Sequence, residues 1–198
     1  MYNLPAETEV LQRLKKTEIY RLLNFTPAQQ TAFDQDISMV YIINEISDNT
    51  LHLSGKDENA FFIMEIKLKN KNYNPKNIEH LSKLLERNIL FALTYEDNVR
   101  FAVFKTVLHQ NDWQNIDKVE LTLNGHNYDI IWENMVRSVI GIENESTESL
   151  EEQIETKIDN DKILKDIEKL KSKLHKEKQL NVKMELNAEI RKLEGMIK

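Results

Sequence analysis

Between Phe61 and Tyr95 the chain carries two strand signals separated by a helix signal, and this stretch leaves few folds open. Phe62, Met64, Ile66 and Leu68 alternate with Glu65, Lys67 and Lys69, the period-two pattern of a strand with one face on a core. After the polar break at Asn70 to Asn74, Pro75 with Asn74 as its cap starts a segment whose Ile78, Leu81, Leu84 and Leu85 recur at helical spacing. Ile89-Leu90-Phe91-Ala92-Leu93 is an unbroken apolar run, too short for a free helix, and predicts a strand buried on both faces at the centre of the sheet. A strand, a helix and a second strand this close together predict an α+β fold, with a central mixed sheet, antiparallel hairpins and flanking helices.

The flanking segments supply the rest of such a sheet. Val10, Leu11 and Leu14, then Ile19, Leu22 and Leu23, predict one helix or two short ones divided near Lys15-Lys16-Thr17. Thr26-Pro27-Ala28-Gln29 has the pattern of a capping box and predicts a second helix to about Asp36, burying Ala28 and Phe33. Ile37 to Ile43 predicts a strand, Asn44 to Asn49 a turn, and Thr50 to Leu53 its partner strand. Beyond Tyr95, the Glu96-Asp97-Asn98 turn leads into Val99 to Val107 as the return strand of a hairpin. Val119, Leu121 and Leu123, with Asn124-Gly125, predict another hairpin returning over His126 to Asp129. Trp132, Met135, Val136 and Val139 mark one face of a helix that Gly141 caps.

These elements place a globular domain at residues 1–141, an acidic linker or helix start at 142–161 and a helical tail at 162–198. The tail has no glycine or proline from Glu143 to Glu194. Its apolar seam is Ile163, Ile167, Leu170, Leu174, Val182, Leu186, Ile190, Leu193 and Ile197, with a four-residue irregularity between Leu174 and Val182. A long helix and a helical hairpin both satisfy this pattern. The absence of turn residues in His175-Lys176-Glu177-Lys178 points to the long helix. The seam is the expected partner-binding surface, for another protein or for self-association, because an isolated apolar stripe faces water.

Charge narrows the partners. From Thr147 to Lys198 there are 12 acidic and 12 basic residues, so the net charge of −6 lies on the body. An acidic body argues against broad nucleic-acid binding, which depends on neutralising phosphates, and makes contact with DNA indirect or weak. The chain has no cysteine, so disulfides and thiolate metal sites are excluded. No run approaches the roughly 18 apolar residues of a membrane helix, and the residues from Met1 to Pro5 lack a signal-peptide pattern. The expectation is a cytoplasmic protein without membrane contact.

Few residues could carry chemistry. Glu65-x-Lys67 on a strand has the spacing at which restriction-type nucleases place an acid and a lysine around a divalent metal. The predicted helix, three strands, helix and strand follow the order of that nuclease core. Such a site would use Glu65, Lys67 and a further acid from the preceding turn, with Asp57 favoured over Asp48 and Glu58, and would hold Mg2+. The alternative is that Glu65, Lys67, Lys69 and Lys71 are the solvated face of an amphipathic strand, with no catalytic residue, metal or cofactor. His52, His80, His109, His126 and His175 show no metal-ligand spacing. No phosphate loop or nucleophile elbow is present.

The runs Leu53 to Lys69, Leu85 to Lys105 and His175 to Glu194 together resemble the bacterial family called domain of unknown function 4391, over nearly the whole chain. That resemblance implies a place beside helicases and DNA methyltransferases in restriction and phage-defence islands. Where the family tends to carry an aromatic residue and a lysine near a strand end, this chain has Ile43-Asn44-Glu45-Ile46-Ser47. The expectation is a non-catalytic accessory subunit of an anti-phage or restriction-type DNA-processing complex, docking a helicase or methyltransferase. The alternative is a metal-dependent nuclease.

Overall fold

The computed structural model describes residues 2–51, 53, 60–85, 87–142 and 148–197. The chain divides into two compact units, residues 1–144 and 145–198. The first contains β1 (Glu9–Leu14), α1 (Lys16–Leu22), α2 (Pro27–Asp36), β2 (Ile37–Ser47), α3 (Asp48–Leu51), β3 (Ala60–Leu68) and α4 (Lys76–Leu81). It continues with β4 (Asn88–Tyr95), β5 (Asn98–Phe104), β6 (Leu108–Gln110), β7 (Gln114–Asn115) and α5 (Tyr128–Ile140). The second contains α6 (Leu150–Lys176) and α7 (Leu180–Glu194).

The strands form one sheet in the order β1-β2-β3-β4-β5-β6, with β7 also on β5. Among the described residues only β3 and β4 are parallel, joined through α4, and every other pair is antiparallel. On one face, Ile19 of α1, Phe33 of α2 and Ile78 and Leu81 of α4 share a core with Val40, Met64, Ile66, Phe91 and Leu93. On the other, Trp132 of α5 packs on Phe61 of β3 with ring centroids 5.3 Å apart. The sheet unit is therefore a three-layer α/β/α arrangement. β4 is buried from Ile89 to Thr94, as its apolar run predicts, and each large side chain buried there contributes roughly 1.5–3 kcal/mol.

Elements with a complete local signal form where the sequence places them. Thr26 caps α2 through a full capping box with Gln29, and Gly141 ends α5 at φ 73°, a left-handed conformation that favours glycine. Other expectations are corrected. Val10 to Leu14 belong to a strand, not a helix, because β2 offers them an open edge to pair with. Ala28 is exposed, leaving Phe33 as the buried anchor of α2. The predicted turn at Asn44 to Asn49 is largely β2, which runs to Ser47 to match the length of β3. The predicted strand at Thr50 to Leu53 is replaced by α3, and His52 lies outside the described residues.

The helix predicted from Pro75 is only α4, so Leu84 and Leu85 lie beyond it and pack on the core as partly buried residues. No hairpin forms at Asn124-Gly125. Asn127 instead accepts the Ile130 amide and starts α5, drawing Gly125 so close that a Cβ there would lie 2.9 Å from the Ile130 and Ile131 side chains.

In the second unit the tail is a hairpin of two helices, not one long helix. Glu177 leaves helical geometry at ψ 143°, and its carboxylate accepts the backbone N–H groups of Lys178 and Gln179 at 2.6 and 2.8 Å. The side chain thus does locally what a glycine or proline would otherwise do. α7 packs on α6, and Lys171 bridges to Glu194 at 3.1 Å. Of the predicted seam, Ile167 and Ile190 are buried, Ile197 is exposed, and Ile163, Leu170, Leu174, Val182, Leu186 and Leu193 are half-buried.

Candidate functional site

The sheet face that carries α5 holds a group of polar side chains that the period-two pattern of β3 only half reveals. Ile63, Glu65 and Lys67 point to this face, opposite Met64 and Ile66 in the main core. The prediction that Glu65 and Lys67 are both solvated fails for Glu65. Its side chain is 6% exposed against 48% for Lys67. The Lys67 ammonium lies 3.8 Å from the Glu65 carboxylate and 5.5 Å from the Tyr41 ring centroid, while Thr94 of β4 donates to Glu65 Oε1 at 3.5 Å.

Burial pushes the Glu65 carboxyl above its ordinary range, and the Lys67 charge and the Thr94 bond only partly oppose this. A carboxyl so placed can act as a proton acceptor or a metal ligand, and the adjacent ammonium can hold an anion or an attacking water.

Three neighbours escape a reading by sequence spacing. The Tyr2 ring stacks edge-on against Phe101 with centroids 5.4 Å apart, and burial and the charge of Glu65 raise its hydroxyl above the ordinary tyrosine range. Asn44 of β2 is buried and donates to Thr8 Oγ1 at 2.8 Å. Thr94 is the third. Tyr2 Oη and Asn44 Oδ1 have no hydrogen-bond partner among the described residues. The one sequence signal for Asn44 is its position, with Glu45, as a polar break between Ile43 and Ile46.

The acids expected to complete a metal site are not brought into view. Asp57 and Glu58 lie outside the described residues, and Asp48 is described only by its backbone in α3. Among the described residues no three His, Asp or Glu side chains are grouped so as to hold a metal ion, and Glu65 is the one buried acid there. Among the described histidines none joins a metal-ligand group; His80 packs its ring 5.0 Å from that of Phe25. No helix among the described residues is long and apolar enough to cross a membrane.

The model of one family, the domain of unknown function DUF4391, matches residues 2–197, both units included. The chain belongs to that family. No match to the chain is found among curated proteins or solved structures. The polar group around Glu65 thus lies within the DUF4391 match.

Proposed function

We propose that this DUF4391 protein is a non-catalytic accessory subunit of a bacterial anti-phage or restriction-type DNA-processing assembly, with the sheet unit as its body and the helical hairpin as the arm that docks a helicase or DNA methyltransferase. The observation that carries this reading is apolar surface left on the hairpin. Leu180 and Met184, one turn apart on α7, are 72% and 65% exposed, and Leu164 of α6 is 47% exposed. An amphipathic helix gains from such residues once a partner's apolar groove covers them.

In this reading the full chain should co-purify with a helicase or DNA methyltransferase of its host. Replacing Leu180 and Met184 together with aspartate should abolish that association while the sheet unit melts as before, because the charges would enter the partner's groove unpaired. Undiminished co-purification of the double variant would remove the hairpin from the interface.

A second reading, a metal-dependent nuclease, is favoured by the burial of Glu65 beside Lys67 on β3. The run β1-β2-β3, α4 and parallel β4 also supports it, as the strand order of the nuclease core. In this reading Glu65 would help to hold Mg2+, which would supply charge to the phosphate, and Lys67 would steady the attacking water, while Asp57, the acid expected to join them, lies outside the described residues. Mg2+-dependent DNA cleavage by the purified chain, lost in Lys67→Ala, would replace the first reading with this one.

A further inference from the structure

The two edges of the sheet are built differently. One ends in β6 and β7, strands of three and two residues, and very short edge strands are a common guard against further pairing. The other ends in β1, six residues long, with every residue exposed except the half-buried Leu14. No strand covers its outer side among the described residues. Val10 and Leu11 present apolar side chains there, 41% and 58% exposed. Leu11 sits at φ 51°, within the irregularity where Glu9 pairs with Asn44 and Gln12 with Ile42. A bulky residue in that region is an outlier. A bulge can also guard an edge, but the two residues at this one, Val10 and Leu11, are apolar and exposed.

The order of side chains along β1 says what fits it. In an antiparallel pair centred on Leu11, Glu9 stands opposite Arg13 of the second copy, Val10 opposite Gln12, and Leu11 opposite itself. The dyad repeats each contact, so two opposite-charge pairs flank an apolar centre, and it also carries Lys15 towards Glu7 of the second copy. A parallel, in-register pair would set Glu9 on Glu9 and Arg13 on Arg13, and like charges directly opposed are unfavourable. At the end of the strand lies a cavity of about 390 Å³ lined by Leu14, Lys15 and Met39.

We infer that β1 is a self-association edge, along which two copies pair antiparallel about a dyad at Leu11 and continue the sheet from one copy into the other. The occupant is a second copy of this chain because β1 supplies its own complementary charges. The inference is independent of the partner proposed for the hairpin. A six-residue ribbon buries less than the roughly 1,200 Å² of a standard stable interface, so the dimer belongs to the weak, concentration-dependent class.

Sedimentation velocity of the full chain over a concentration series tests this. The wild type should move from monomer to dimer as concentration rises. Glu9→Arg and Arg13→Glu should each weaken the dimer about tenfold, because each turns two attractive pairs into repulsive ones. Combining them should restore wild-type association, since the pairs are re-formed with their signs exchanged. Thermal unfolding by circular dichroism should be the same for all four proteins.

A monomer at every concentration would overturn the inference. So would a dimer indifferent to both single reversals, a double variant as weak as the singles, or a dimer lost only on Ile190→Asp in the hairpin. A chain that stays monomeric alone and binds a partner protein in a way weakened by Glu9→Arg or Arg13→Glu would assign the edge to that partner and overturn it equally.

Discussion

The sheet unit and the helical hairpin are built from the same residue types but hold together on different scales. In the first, Phe33, Ile37, Phe61, Met64, Ile66 and Phe91 are fully buried between two helical layers. In the second, the buried apolar residues are Leu150, Ile154, Ile167 and Ile190, and most of the surface is charged. A core flanked on both sides makes a cooperative unit, in which one loss is felt everywhere. A pair of helices has one seam, so its losses are local.

That contrast is open to attack, and a large deletion in the sheet core attacks it hardest. Phe33→Ala removes a ring packed against Tyr20 and Phe25 at 5.7 Å and should lower stability by about 3–5 kcal/mol, read from urea unfolding. A loss under about 1 kcal/mol would mean that the α2 layer is dispensable. Next in size, Ile190→Ala should cost about 2 kcal/mol of hairpin stability. Amide exchange should quicken in α6 and α7 while the main thermal transition stays in place. Residues 1–142 alone should then still unfold cooperatively. A non-cooperative melt of that fragment would show that the hairpin completes the core.

Each unit also has a helix opened by a capping box, Thr26 on α2 and Ser149 on α6. Thr26→Ala and Ser149→Ala should each cost about 1 kcal/mol, but in different places. The first should shift global unfolding, and the second should only fray the start of α6 in hydrogen exchange. Equal shifts of the global transition would erase the distinction between the units.

The smallest effect is one of sign. Burial raises the Glu65 carboxyl above the ordinary 4.5. Its contribution is fully present below that pH and is lost as pH rises through the higher folded value. Backbone hydrogen bonds lower the Glu152 and Glu177 carboxyls, so their contribution is present above 4.5 and lost as pH falls through their lower folded values. Asp34, lowered by its bond from Lys16, runs in the same direction as the hairpin acids. Glu65→Gln isolates the opposite term. It should stabilise the sheet unit at neutral pH and have little effect near pH 4, measured by denaturant midpoints. Destabilisation at neutral pH would mean that the Lys67 pairing outweighs burial.

The chemistry was legible only as spacing. Glu65-x-Lys67 stands out in the sequence, but alternation alone assigns both residues to water. The depth of Glu65 depends on Tyr2 and Thr94, which come to it from distant parts of the chain through the packing on Phe101 and the register of β4. Asn44 is equally remote, reaching this face because β2 continues past its expected end.

What the sequence by itself determined are the features whose causes lie within a few residues. They include the capped start of α2, the glycine stop of α5, the alternation of β3, the buried run of β4 and the helical tail. Tertiary structure decided whatever depended on an available neighbour. Val10 to Leu14 are a strand because β2 has an edge to offer, and Thr50 is helical because β2 finds its partner in β3. Asn124-Gly125 makes no hairpin because α5 draws Gly125 against Ile130 and Ile131. The tail folds back where the Glu177 carboxylate takes the backbone N–H groups of Lys178 and Gln179 between the two helices, since packing two apolar seams on each other removes from water what one extended helix would expose.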